Sequence, residues 1–192
     1  MITLITGPSH AGKTYLAQKI LEQEHRPYMS IDHLKMGLIR SAKTDLTVED
    51  DMLLQGYLWE IVKEIIKTAI ENEQELIVEG IYIPYTYRQD FNREQLNNIE
   101  FISIVFTDNY ITQHFSQIVD NRNSIETRQT FDVTLESVLN DHHDHRASFK
   151  EEVGRLIVVE DDYIQTLDEY LKRREKDGKS KDKKRVIRTS KM

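Results

Sequence analysis

Gly7-Pro8-Ser9-His10-Ala11-Gly12-Lys13-Thr14 fits the pattern G-x-x-x-x-G-K-[ST] and follows directly on the apolar run Ile2-Thr3-Leu4-Ile5-Thr6. A strand that turns through such a loop into a helix offers successive backbone N–H groups, and the positive end of the helix, to an anion. The stretch reads as a phosphate-binding loop for a nucleotide, with Gly7, Ser9, His10, Ala11, Gly12, Lys13, Thr14 and Tyr15 as its binding residues. The glycines permit the tight backbone. Lys13 is placed to reach the β and γ phosphates, and the Thr14 hydroxyl to take one coordination position on Mg²⁺. The flanks agree with this, because Leu16, Ala17, Ile20 and Leu21 form an apolar helical stripe after the loop.

A chain of 192 residues suits one α/β domain and can bury a proper core. With no cysteine, it can hold neither a disulfide framework nor a thiolate nucleophile or metal site. Met1-Ile2-Thr3 runs straight into a strand, and no apolar run approaches membrane-spanning length, so a soluble cytoplasmic protein with no membrane partner is expected. From Lys172 to Met192 seven Lys and four Arg face only Glu175, Asp177 and Asp182, an excess of 8 that turns the net −7 of the chain into −15 for its body. So acidic a body disfavours nucleic acid as a partner of the core. The basic tail, residues 175–192, reads as disordered, and it is the one segment suited to touching RNA.

Taken in order, the first helix spans about Lys13 to Glu24 and stops before Pro27. A short strand, Tyr28 to Ile31, ends in Asp32, which belongs on the same sheet edge as the phosphate loop and could also cap the helix that begins at His33. Thr47-Val48-Glu49-Asp50 resembles a capping signal before a long helix reaching about Asn72, with Leu54, Leu58, Ile61, Val62, Ile65, Ile66 and Ala69 on its buried face. The third strand, Glu75 to Gly80, is continuously apolar and ends in Glu79, a candidate for supporting the Mg²⁺ shell through water or for contacting the acceptor. In the loop after it, Tyr82, Tyr85, Tyr87 and Arg88 either contact a phosphate acceptor or pack on a neighbouring helix.

Strand four is Ile99 to Phe106, and Asp108 is expected to cap the helix from Tyr110. Residues from about 110 to 150 read as a helical excursion over the site, whose Arg122 and Arg128 could close over the transferring phosphoryl group. Within it, Asp141-His142-His143-Asp144-His145-Arg146 invites a metal reading, but it lacks a second ligand cluster. The last strand, Leu156 to Val159, precedes a helix from Tyr163 to about Arg174.

Phosphate loop, strand-two Asp32, long helix, Glu79-Gly80 after strand three and an arginine-bearing excursion together resemble a P-loop kinase of the nucleoside monophosphate kinase-like group. That group includes adenylate, shikimate, gluconate and 2-phosphoglycerate kinases, chloramphenicol phosphotransferase and zeta toxins. The resemblance spans Met1 to about Arg174, and only the phosphate loop is specific as a motif. It implies a three-layer αβα P-loop NTPase fold, a five-stranded parallel sheet in the order 2-3-1-4-5 with a helical lid. It also implies that Lys13 and Thr14 serve the nucleotide, that Asp32 binds or deprotonates the acceptor hydroxyl, and that Arg122 and Arg128 are lid arginines. The chain departs from adenylate kinase-like members, which carry an arginine where Asp32 stands.

The function expected is transfer of the γ-phosphoryl group of ATP, with Mg²⁺, to a hydroxyl of a small molecule, by a monomer or homodimer. Lys13, Asp32, Arg122 and Arg128 are the expected catalytic residues, and Asp32, Glu79, Tyr82 and Arg88 the expected acceptor contacts. Two alternatives stand beside it: a zeta toxin-like kinase of a nucleotide sugar, and a nucleotide-dependent switch that binds RNA or a protein through its tail.

Overall fold

Strand β1 (Ile2–Thr6) is buried at every position, because β3 (Leu76–Glu79) and β4 (Ile99–Phe106) pair with it on either side. The computed structural model describes the backbone of residues 1–120 and 133–189, and side chains as far as Lys176. Beyond these central strands β2 (Tyr28–Ser30) pairs with β3, and β5 (Arg155–Val159) with β4, giving one all-parallel sheet in the order 2-3-1-4-5. Strands so continuously apolar need cover on both faces.

Helices α1 (Lys13–Glu24), α5 (Asp108–Asp120), α6 (Leu135–Ser148) and α7 (Tyr163–Thr189) cover one face, where Leu16, Ile20, Ile111 and Leu171 meet Ile5, Ile102 and Ile104. Helices α2 (Ile31–Arg40) and α3 (Asp51–Glu71), with the loop after β3, cover the other, where Leu58, Val62 and Tyr82 meet Leu4, Val78 and Phe101. A single-turn helix, α4 (Arg93–Leu96), leads into β4 and is held by a capping box between Asn92 and Gln95. Among the described residues no helix is long and apolar enough to cross a membrane.

Several boundaries differ from the sequence reading. Strand β2 ends at Ser30, so Asp32 is the second residue of α2 and its cap position belongs to Ser30. Asp108 opens α5 rather than capping it, and the Tyr110 N–H donates to the Thr107 hydroxyl, 3.2 Å away. Asp50, not Thr47, stands at the cap position of α3; its carboxylate turns back to accept from the Thr47 N–H and hydroxyl. Ile61 and Ile65 are only half-buried; they flank a groove of ≈ 770 Å³ with Pro27 and Leu76 at the amino edge of the sheet, remote from the phosphate loop. Helix α7 continues past Arg174 to Thr189, in keeping with the helix propensity of its Lys and Arg residues.

Arg174 fixes α7 to the domain. Its guanidinium donates to Glu24, Glu100 and the Thr3 hydroxyl, joining α7 to α1, β4 and β1. Burial works against its charge, but Glu24 and Glu100 outweigh that and raise its pKa further.

Candidate active site at the phosphate loop

The loop between β1 and α1 takes a backbone that only certain residues permit. Gly7 has φ +141° and Gly12 φ +80°, and a Cβ on either would collide, with the Ile104 carbonyl oxygen at 2.3 Å and with the Tyr163 hydroxyl at 1.9 Å. His10 also adopts a positive φ, +64°, as in the tight turns that form anion-binding loops. Lys13 is 4% exposed, and its Nζ donates to the Pro8 carbonyl 2.8 Å away, so the ammonium lies across the loop mouth. Ala11 and Thr14 are buried, whereas Ser9, His10 and Tyr15 are half-buried on its rim.

Register fixes what stands beside the loop. Ile5 opposes Glu79, and Glu79 opposes Ser30, so β1, β3 and β2 end level with one another. Glu79, 1% exposed, therefore stands between the loop and the start of α2, where Asp32 follows Ser30 by two residues. A buried strand-end carboxylate and the Thr14 hydroxyl at the start of α1 form an oxygen donor pair of the kind that suits Mg²⁺, which keeps most of its waters.

Across the cleft a chain of polar contacts joins three elements. Lys35 lies 3.3 Å from Asp32 and donates to the Tyr82 hydroxyl at 2.9 Å, which in turn donates to Asp51 Oδ1 at 2.8 Å. Burial, reinforced by Asp51 and Asp32, raises the Tyr82 pKa and keeps the phenol protonated. Tyr82 thus joins both expected roles: its ring packs in the core while its hydroxyl reaches the cleft. Tyr87 is buried and donates to the Val153 carbonyl, and Arg88 is exposed on the short 3-10 turn Tyr87–Asp90 that follows.

Helix α6 closes the third side. Its residue Val138 packs with the α1 face of the sheet, while Phe149 just beyond its end packs with the α3 face, so α6 crosses the carboxyl edge. His142 stacks on Phe106, and His145 Nδ1 lies 2.9 Å from the Tyr85 hydroxyl. Burial is the main cause that pushes the His142 pKa down to about 3 and that of His145 down to about 4; the neighbouring His145 and then Lys13 add to it at His142, and Lys13 at His145. Asp141 feels the same lysine, but burial, Asp144 and Asp51 raise its pKa. Among the described residues no group of three or more His, Asp or Glu side chains gathers as a metal cluster, so these histidines pack and hydrogen-bond instead.

Lys13, Thr14, Glu79, Asp32 and Tyr82 thus stand along one edge of the sheet, whereas Arg122 and Arg128 lie outside the described residues. The sequence reading missed Lys35, Asp51 and Tyr163 as site residues. Lys35, three residues after Asp32 on one helix, carried a local signal; Asp51 and Tyr163 reach the cleft only through the tertiary fold.

No protein-family model matches the chain, and no curated protein is similar to it in sequence. Solved structures do share its fold. A shikimate kinase from Aquifex aeolicus superposes with a TM-score of 0.53 at 15% identity, over 93% of this chain and 98% of that one. A shikimate kinase from Bacteroides thetaiotaomicron gives 0.53 at 14% identity, over 92% and 96%. A sugar kinase from Janibacter sp. gives 0.51 at 15%, over 89% and 92%. The chain has the α/β fold of P-loop kinases.

Proposed function

We propose that this chain is a phosphotransferase that moves the γ-phosphoryl group of ATP to a hydroxyl of a small molecule. The observation that carries the proposal is the level register of β1, β3 and β2, which sets Lys13 and Asp32 on one edge with the buried Glu79 between them. The likeness of fold to sugar and shikimate kinases supports it.

In this reading the loop amides and Lys13 hold the phosphates, and Asp32 accepts the proton of the attacking hydroxyl. The hydroxyl oxygen bonds to the γ phosphorus as the bond to the departing diphosphate breaks. Mg²⁺, held by Thr14 and by Glu79 through water, would neutralise charge on the phosphates. Lys35 fixes the Asp32 carboxylate at 3.3 Å and is itself fixed by Tyr82, so the base does not swing. With so little covalent work in a loose transition state, positioning supplies most of the acceleration.

The acceptor wall has a sign. Three carboxylates gather on this wall: Asp32 with Lys35 beside it, Asp51 beneath the Tyr82 hydroxyl, and Asp141, on which Asp51 and Lys13 both act, so a negatively charged acceptor is disfavoured there. Neutral or cationic hydroxyl compounds such as sugars, nucleosides and aminoglycoside-like molecules fit better than nucleoside monophosphates or hydroxy acids. The test is ATP consumption with Mg²⁺ across a library of neutral, cationic and anionic hydroxyl compounds. Stimulation by a neutral or cationic member, abolished by Lys13→Ala, supports the reading. A slow rate that no compound raises contradicts it and favours a nucleotide-dependent switch.

A further inference from the structure

The apolar groove at the amino edge of the sheet takes no part in the functional reading above. Ile61 and Ile65 of α3 line it with Pro27 and Leu76, and Glu64 and Glu75 stand among them. Its surroundings are acidic. Glu71 and Glu73 are exposed close by, where α3 ends without a basic residue in its last turn to offset the negative end of the helix. Lys67 reaches Glu64, and the Met1 amino group and Arg26 lie 3.8 and 3.9 Å from Glu75, yet the two carboxylates stay 61% and 56% exposed and so remain open to a further cation.

Helix α7 carries cations to this same edge. It begins beside the phosphate loop, where the Tyr163 hydroxyl donates to the Gly12 carbonyl, and it reaches the opposite edge at Arg174, which donates to Thr3 and Glu24. From there it runs on as helix to Thr189, about 22 Å further at 1.5 Å per residue. A helix that continues in one direction leaves the body it came from, so this stretch has no route back to its own groove. In sequence it sets the pair Val186-Ile187 between Lys183-Lys184-Arg185 and Arg188, an apolar centre with cations on either side. That is the complement of the groove, whose apolar lining is joined by two exposed carboxylates.

We infer that residues 183–188 of one copy dock in the groove of a second copy, so that two chains meet amino edge to amino edge and exchange their tails. Reciprocal exchange fills both grooves and closes the assembly as a two-fold pair. The tails are what allow the approach: bodies of −15 repel each other, and each tail brings an excess of 8 positive charges to the other's edge. RNA also neutralises such a tail, but the acidic edge beside it repels a polyanion.

Sedimentation equilibrium of the full chain tests this. The parent is expected to run near twice 22.7 kDa in about 0.1 M salt, and raising the salt to about 1 M, which shortens the screening length to about 3 Å, should weaken the association at least tenfold. Glu64→Lys with Glu75→Lys, and separately Val186→Asp with Ile187→Asp, should each give a monomer with the circular dichroism of the parent. The chain has no cysteine, so single-cysteine proteins report the contact directly. Mixed under mild oxidation, the Thr68→Cys and Ile187→Cys proteins should join as a disulfide-linked pair, a bond that lies between two copies by construction. The Glu160→Cys protein, altered at the carboxyl edge, should not join Ile187→Cys. A monomeric parent, whether or not its tail retains nucleic acid, overturns the inference, and so does equal cross-linking of Ile187→Cys to the Thr68→Cys and Glu160→Cys proteins.

Discussion

The Tyr163 hydroxyl donates to the Gly12 carbonyl at 3.2 Å, which ties the start of α7 to the last turn of the phosphate loop 151 residues earlier in the chain. That contact makes Gly12 irreplaceable for two separate reasons, its φ of +80° and the absence of room for a Cβ beneath the tyrosine. Gly12→Ala should lose nucleotide binding at least tenfold and lower the Tm by several degrees. Adding Tyr163→Phe should recover some of the Tm by removing the nearest atom, but not the affinity, because the backbone strain remains. Titration and thermal unfolding of the two variants check this.

Arg174 is 92% buried by the exposure of its side chain, 8%, and its partners Glu24 and Glu100 come from two different elements. Removing the cation leaves Glu100 without its arginine at the amino edge of the sheet, while Glu24 keeps Arg26 at 2.9 Å. Arg174→Met should destabilise the domain by about 1–3 kcal/mol, less than a fully buried pair, because both carboxylates are partly exposed and Glu24 keeps Arg26. Because this cluster lies at the opposite end of the sheet from the phosphate loop, nucleotide affinity should be unchanged. Denaturant unfolding and titration separate the two effects.

Tyr82 links Lys35 to Asp51, so Tyr82→Phe should release Lys35 and Asp32 from their shared geometry without opening a cavity. About 1 kcal/mol of stability should be lost. The sharper effect should be kinetic, a raised KM for the acceptor with nucleotide affinity unaltered, measured by varying each substrate in turn.

His142 and His145 predict a dependence of stability on pH. Their folded pKa values, about 3 and about 4, lie below the ordinary 6.5, so the unfolded chain binds protons before the folded one does. Their contribution to stability is complete above pH 6.5 and is lost as the pH falls through the folded values. Each adds a slope of up to about 1.4 kcal/mol per pH unit in that window. Beyond burial, the groups that act on the rings are His145 on His142, Lys13 from the loop on both, and Asp144, His143 and Arg146 from α6, with the Tyr85 hydroxyl beside His145. His145→Gln should therefore flatten the fall in Tm between about pH 6 and 4.5; an unchanged slope would contradict the assignment.

The fold was legible where local chemistry decides it. The Gly7–Thr14 pattern announced a strand-loop-helix, and the apolar run ending in Glu79 and the buried-looking run at 99–106 announced strands covered on both faces. Boundaries slipped where one residue serves two elements: Ser30 closes β2 and stands at the N-cap position of α2, which moved Asp32 into the helix. The site was half legible. Glu79 stands at a strand end as read and Asp32 two residues past one, but their surroundings were not legible, because Tyr82 meets Asp51 across 31 residues and His145 meets Tyr85 across 60. The histidines of α6 show the limit most clearly. The run from Asp141 to Arg146 invited a metal reading, yet nothing local revealed that His142 would stack on Phe106.

The central claim is that Asp32 serves the acceptor while Lys13 serves the nucleotide. The most direct measurement is transfer of label from γ-labelled ATP to the best acceptor, against label released to water, in the parent and in Asp32→Asn. The account predicts that Asp32→Asn binds Mg·ATP like the parent and keeps its slow release to water, but transfers to the acceptor about 10²- to 10⁴-fold more slowly, the usual loss of a general base. Transfer to the acceptor at the parental rate in Asp32→Asn would contradict it.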